Sequence, residues 1–420
     1  MRHPLRIVGI ALVVAVVGVA SVGTVRLLAA SPSLTATTSV ARPWVPAPGT
    51  PLSVAAPPQG SLAVDAVIGN AVVTHLAGAA SATVRPIASV AKTMTALVIL
   101  ETHPLQAGEL GPVITMTHAD VADYLSIAAQ QGSFVPVRVG EQFNERELLL
   151  GLMLPSANNL ALSAARWVDG SVAAFVARLN ARAAALGMSG THFADPDGLD
   201  AATTSTAADL LRLGEAAVAN PALVDVVSST TATLPDGTVV SNLDRLLLLQ
   251  PGWIGIKTGW TPQAAGCLLF AARRQAAAGA PALTIVGAVL GQPPDLTSGW
   301  AHPELGGAFD VAATAVQTAL AGYAAVRVGP GSIPVVGNLA APWGPSTQLL
   351  MTGPDRVVLV RLGEGLSASA SPRPVSVPAP AGTDAGSVTV SAGGVVVGHW
   401  RLVTAAAIGA PSPWWRLVHG

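Results

Sequence analysis

The sequence predicts an α+β protein with a small β-rich domain behind it. Three observations carry that reading. Apolar alternation from Ser61 opens the ordered region as a hairpin, helical periodicity dominates from Ser89 to Gly187, and two strand-length apolar runs follow Lys257. From about Ala325 the chain turns to short β-rich runs, V-V-L-V-R-L and S-V-T-V-S-A-G-G-V-V-V-G-H-W. At 42.0 kDa there is room for two domains and a sizeable core. The expected division is a membrane anchor or signal peptide at 1–30 and a proline-rich linker at 31–59. A catalytic domain at 60–324, a β domain at 325–408 and a tryptophan-containing tail at 409–420 follow.

The N-terminal element sets the compartment. M-R-H-P-L-R precedes 19 uncharged residues, Ile7 to Val25, and then Arg26. As a helix this run is about 28 Å long, close to the hydrocarbon thickness of a bilayer. Cleavable signals have shorter apolar regions, and L-A-A before Ser31 is a poor cleavage site, so length favours an uncleaved anchor. Arg2 and Arg6 favour an N-terminus inside the cell, with Arg26 opposing. Either way the body of the protein is exported. Residues 31–59 contain seven prolines and no hydrophobic period, which predicts a semi-extended linker.

S-L-A-V-D-A-V-I, G-N and A-V-V-T-H-L then predict a hairpin. A helix is expected from near Ser89 to before Pro104, with Met94, Leu97, Val98 and Ile99 at helical spacing. Further helices are expected at 145–154, 160–167 and 171–186, the last stopped by Gly187. G-C-L-L-F-A-A and A-L-T-I-V-G-A-V-L-G are strands. Trp414 and Trp415 are expected to cover the β domain rather than touch a membrane interface.

Composition excludes several functions. The formal charge of −1 gives no basic face for nucleic acid. A single cysteine, Cys267, rules out an internal disulfide framework and reads as a small core residue. The eight histidines are scattered, with no H-E-x-x-H, so neither a metal nor a cofactor is expected. His192 and the aspartates of D-P-D-G, Asp195 and Asp197, read as structural.

The informative residues are the lysines. Of 22 basic residues only two, Lys92 and Lys257, are lysine. Arginine cannot be deprotonated in a protein, whereas a lysine can lose its proton when buried. Lys92 stands in S-V-A-K, three residues after Ser89, so the two side chains share one helix face. Lys257 stands in K-T-G, with Thr258 and Gly259, on a predicted strand. Between them P-S-A-N places Ser156 and Asn158 at a break between helices. Ser-x-x-Lys, Ser-x-Asn and Lys-Thr-Gly in that order form the signature of active-site-serine penicillin-recognising enzymes. The serine needs a base, and a neutral amine serves when burial and a neighbouring positive charge lower its pKa. Lys257 is the candidate neighbour for Lys92. Lys257 also suits a substrate carboxylate, with Thr258 as donor and Gly259 clearing the strand edge for a peptide.

R-P-I-A-S-V-A-K-T-M-T-A, L-M-L-P-S-A-N-N, L-G-M-S-G-T-H-F-A-D-P-D-G-L-D, S-T-A-A-D-L and G-I-K-T-G-W-T-P-Q-A-A-G-C-L resemble the low-molecular-mass penicillin-binding proteins, the serine-type D-alanyl-D-alanine carboxypeptidases. The resemblance covers about 61–291. It implies a penicillin-recognising serine transpeptidase/β-lactamase-like fold, an antiparallel sheet flanked by helices plus a helical subdomain. It implies Ser89 as nucleophile, Lys92 as base and Ser156 as proton relay. Asn158 is implied to bind the substrate amide, and Lys257 and Thr258 the terminal carboxylate. The backbone N–H groups of Ser89 and Trp260 are implied as the oxyanion hole. The implied partners are a peptidoglycan stem peptide as substrate and β-lactams as inhibitors, and the implied reaction is release of terminal D-Ala through an acyl-enzyme. Three positions depart from the family pattern: Ala157 for a usual Gly, Asn159 for a frequent Asp, and Asp195 for a common Asn. Two alternatives remain. One is a D,D-endopeptidase of the same family. The other is a serine β-lactamase, which needs a deacylating Glu, whereas the stretch between Asn158 and Lys257 offers only Glu215, inside an apolar helical run.

Overall fold

The apolar N-terminal run is one helix, α1 (Pro4–Leu28), in the computed structural model, which describes residues 4–40, 45–50, 52–69, 71–297, 299–333 and 335–419. Arg2, the turn residue Asn70 and residues 41–44 of the proline-rich segment lie outside the described residues. Val8–Leu28 is long and apolar enough to cross a membrane, and none of it is buried against protein.

The chain divides into two compact units, Thr50–Ala324 and a second made of Met1–Gly49 with Ala325–Gly420. The second unit corrects the linker expectation. Thr37–Val40 forms strand β1, antiparallel to Val335–Ala340, with Thr37 opposite Asn338. Leu34 is buried and exchanges two backbone hydrogen bonds with Val375, and Gly363 N–H donates to the Ala47 carbonyl. The physical reason lies in T-T-S-V, a β-favouring run in the gap between Pro32 and Pro43, with prolines confined to its flanks. The sheet of this unit runs β1, Val335–Ala340, Ser346–Thr352, Val395–Thr404, Asp384–Ala392, Leu366–Pro372. The tail ends in helix Pro413–His419. Trp415 packs edge-on against Trp343 of the β unit, as expected, but Trp414 stays exposed.

In the larger unit the sequence hairpin is β2 (Ser61–Ile68) and β3 (Ala71–Ala79). Helix α2 (Lys92–Thr102) is preceded by a 3₁₀ turn at Ala88–Ala91 and is buried continuously from Lys92 to Leu100. Helix α3 (His118–Ala129), absent from the sequence reading, starts on a capping box in which Thr117 and Asp120 satisfy each other's backbone N–H. Asn144 and Glu147 do the same for α4 (Glu145–Met153). Helices α5 (Asn158–Asp169), α6 (Val172–Ala185) and α7 (Ala207–Ala219) follow. The chain returns through β4 (Trp253–Thr261), β5 (Ala265–Gln275) and β6 (Ala282–Gln292), then α8 (Gly306–Ala321). The antiparallel sheet has the order β4-β5-β6-β2-β3, with α7 and α8 packed on it. Residues 267–272 of β5 are buried on both faces, which is why that strand reads as a continuous apolar run instead of alternating. β4, which carries K-T-G, is an edge strand.

Candidate active site

Ser89 lies inside the 3₁₀ turn, and Lys92 is the first residue of α2. Their three-residue spacing brings Lys92 Nζ within 2.8 Å of Ser89 Oγ. Helix α5 begins at Asn158, whose Oδ1 lies 2.6 Å from the same Nζ. A third acceptor was not foreseen: the Asp197 backbone carbonyl, at 2.8 Å. A protonated Lys92 donates to all three. A neutral Lys92 keeps two N–H donors, enough for Asn158 and Asp197, and its lone pair is left to accept the Ser89 proton. That arrangement suits a general base.

Lys92 is fully buried, and burial pulls its pKa down to about 8 against the opposing charges of Asp197 and Asp195. Burial is thus the leading one of the two expected causes, and the repulsion between the amines is mutual. The pKa of Lys257 is driven well below the ordinary lysine range by burial first and Lys92 second, with Asp244 pulling the other way. Asp244 is itself buried, accepts from Trp253 Nε1 at 2.8 Å, and is pushed up to about 6 by burial. Lys257 Nζ donates to Thr258 Oγ1 at 3.3 Å.

Gly259 also meets a packing constraint. A Cβ there would lie 2.9 Å from Ile87 O, 3.0 Å from Val90 N and 3.1 Å from Ser89 N. The residue allows β4 to press against the turn that carries Ser89, on the face that Lys257 shares by strand alternation. Trp260 exposes its indole, 45% accessible. Ser156 is buried near the start of α5 with φ +65°, and its hydroxyl has no hydrogen-bond partner. The structure therefore does not join Ser156 to Ser89 or Lys92 by a hydrogen bond. Ala88, directly before Ser89, also has a positive φ of 48°. Held backbone strain of this kind costs about 1–3 kcal/mol per residue and concentrates at functional sites.

The D-P-D-G segment is the part of the site that sequence reasoning undervalued. Besides the Asp197 carbonyl, Pro196 O accepts from Thr95 Oγ1 of α2 at 2.6 Å. Gly198 has φ +79°, and a Cβ there would sit 1.9 Å from Ala88 O. Asp195 organises this segment: its carboxylate accepts from Gly198 N (2.9 Å), Asp200 N (2.6 Å) and Thr203 Oγ1 (2.6 Å). The departure at 195 thus belongs to loop architecture. The departure at 159 has an equally local reason, because Asn159 accepts from Val135 N and donates to Val135 O, a pair of bonds that needs an amide. His192 forms a backbone bridge to Thr204, and Cys267 is buried with its thiol pushed up to about 12, again by burial first.

Comparison with known proteins follows these residues. Residues 61–286 match the D-alanyl-D-alanine carboxypeptidase family, Peptidase_S11. The chain is 36% identical over 205 residues to the D-alanyl-D-alanine carboxypeptidase DacB2 of Mycobacterium tuberculosis, covering 47% of this chain and 66% of that one. It is 35% identical over 196 residues to a D-alanyl-D-alanine endopeptidase of Pseudomonas aeruginosa, covering 44% and 58%. It therefore spans less than two thirds of the length of these relatives. The crystal structure of the Streptomyces K15 DD-transpeptidase superposes with a TM-score of 0.51 at 28% identity, covering 67% of this chain and all of that one. With over half its length matched, and the fold of the penicillin-binding DD-peptidases, the chain belongs to the D-alanyl-D-alanine carboxypeptidase family.

Proposed function

We propose that this protein is an exported serine D,D-carboxypeptidase that removes the terminal D-Ala from peptidoglycan stem pentapeptides. The observation that carries the reading is the fully buried Lys92 amine, 2.8 Å from Ser89 Oγ with two further acceptors to hold it. In the proposed reaction Ser89 Oγ attacks the carbonyl of the penultimate D-Ala while its proton passes to Lys92. Backbone N–H groups of Ser89 and Trp260 hold the oxyanion. The C–N bond to the terminal D-Ala breaks, and the leaving amine takes up a proton. Water then hydrolyses the ester, restoring the Ser89 hydroxyl. Asn158 contacts the substrate amide, and Ser156 passes a proton once substrate bridges the gap. Lys257 and Thr258 take the terminal carboxylate. A bound anion favours the ammonium form of Lys257, which burial disfavours.

Incubation with a fluorescent penicillin is expected to label the chain stably, and Ser89→Ala to abolish labelling. Label retained by Ser89→Ala refutes the assignment. D-Ala release from a pentapeptide, set against cleavage of cross-linked dimers, separates carboxypeptidase from endopeptidase. Rapid penicillin turnover is the result a β-lactamase gives. Against that reading, Glu215 is engaged with Asp65 of β2, and burial followed by this hydrogen bond pushes its pKa up to about 7. Lys257→Arg keeps the positive charge but replaces a compact amine with a bulkier fork. It is expected to weaken substrate recognition while leaving acylation measurable at high substrate. Acylation abolished even at saturation contradicts that role.

We further propose that α1 anchors the protein to the cell membrane, with the rest of the described chain outside. The support is the length and apolar character of Val8–Leu28.

A further inference from the structure

We propose that Gly132 is a specificity-determining residue, whose bare α-carbon keeps the side-chain amide of Asn158 open to the carbonyl of the residue before the penultimate D-Ala. This deepens the reading of the site given above and rests on it. A glycine stands here where its conformational freedom is not needed. Helix α3 ends at Ala129, and the residue that then enters the left-handed region is Gln131, with φ +58°. That is the position at which helices most often place glycine. In this chain the glycine comes one residue later, at 132, where φ lies outside that region. The demand at 132 is therefore for space.

A Cβ on Gly132 would lie 3.2 Å from Asn158 Nδ2 and 2.9 Å from Ile127 Cγ2. Neither neighbour is free to withdraw. Ile127 is buried, and its carbonyl accepts from Gly132 N–H at 3.0 Å. Asn158 is tied by Oδ1, 2.6 Å from Lys92 Nζ, and by its backbone N–H, which donates to Ser133 O at 2.8 Å. The adjacent Asn159 bonds both the N–H and the carbonyl of Val135. Two consecutive asparagines at the start of α5 thus pin residues 133–135 and hold Gly132 against the amide. That amide is only half used. Oδ1 is engaged, whereas Nδ2 has no acceptor among the described residues. A carbonyl acceptor stands about 2.7–3.2 Å from its donor nitrogen, and a Cβ at 132 would enter that shell. The substrate class follows. An N-acylated D-Ala-D-Ala offers a carbonyl to Nδ2, whereas a free amine at the same place is no acceptor once protonated and leaves the donor unpaired.

The test uses the full chain and two β-lactams, benzylpenicillin and 6-aminopenicillanic acid. They share the bicyclic ring and its carboxylate, but only the first carries an acylamino carbonyl. Gly132→Ala is expected to slow Ser89 acylation by benzylpenicillin about tenfold or more, and to leave 6-aminopenicillanic acid within about twofold of wild type. The split arises because Lys92 keeps its contacts with Ser89 and the Asp197 carbonyl. Equal loss for both compounds, or loss for neither, overturns the assignment. Ile127→Leu removes the Cγ2 that the new methyl group meets, so combining it with Gly132→Ala leaves Asn158 Nδ2 as the tight contact. The same split is expected from this double variant, with thermal melting to confirm folding. Benzylpenicillin acylation restored to the wild-type rate there assigns the whole effect to packing on Ile127 and overturns the role of Gly132. A wild-type protein that neither compound acylates at Ser89 overturns the carboxypeptidase reading itself, and the role of Gly132 with it.

Discussion

Lys92→Arg is expected to lower the rate of Ser89 acylation by penicillin about 10²–10⁴-fold or more, the range for losing general-base catalysis. Arginine keeps the charge and can still donate toward Asn158 Oδ1 and the Asp197 carbonyl. It cannot accept the serine proton. In wild type the rate should rise with pH as the neutral amine forms, through an apparent pKa below the ~10.4 of free lysine. The cause is burial of Lys92, which pulls its pKa down to about 8. The arginine variant should lose this limb. Stopped-flow acylation across pH for both proteins, with thermal melting to confirm folding, decides the matter. Normal acylation by a folded Lys92→Arg protein would exclude Lys92 as the base.

The second large effect is expected at Gly198. A methyl group there meets Ala88 O at 1.9 Å, and φ is +79°, so Gly198→Ala cannot be absorbed by a rotamer change. Either the nucleophile turn or the D-P-D-G segment must move. Both hold the proposed nucleophile and base, one through Ser89 and the other through the Asp197 carbonyl on Lys92 Nζ. A displacement on the order of 1 Å at such a site costs about 10²-fold. Penicillin acylation should fall by at least that factor, with a lowered Tm. Acylation at the wild-type rate would mean that the segment does not position the amine.

What could be read from the sequence, and what could not, separates by physical range. Ser89 and Lys92 were legible because three residues on a helical path bring side chains together whatever the rest of the chain does. The strands around K-T-G were legible because burial on both faces leaves a plain apolar run. The Asp197 contact was not, since it uses a backbone carbonyl, and every residue has one. Gly259 has a second reason that the sequence does not show, the room it leaves for the turn around Ser89, remote in sequence. Helix α3 carried a signal that went unused, Thr117 and Asp120 at capping-box spacing. For β1 the local signal was four β-favouring residues among prolines, too short to outweigh the linker composition around it.

That short strand also sets a timetable. Thr37 and its partner Asn338 are 301 positions apart. At synthesis rates of about 5–20 residues per second, the edge strand stays unpaired for about 15–60 s after it emerges. The whole Thr50–Ala324 unit is completed in that interval, and its own sheet needs nothing from the remaining chain. The Thr50–Ala324 unit can therefore fold first, while the β unit closes last, around a strand made long before. Such closure is of high contact order and intrinsically slow. Once closed, it ties the Thr50–Ala324 unit at both its ends to one β unit, so one proteolytic nick at either junction leaves the two units joined.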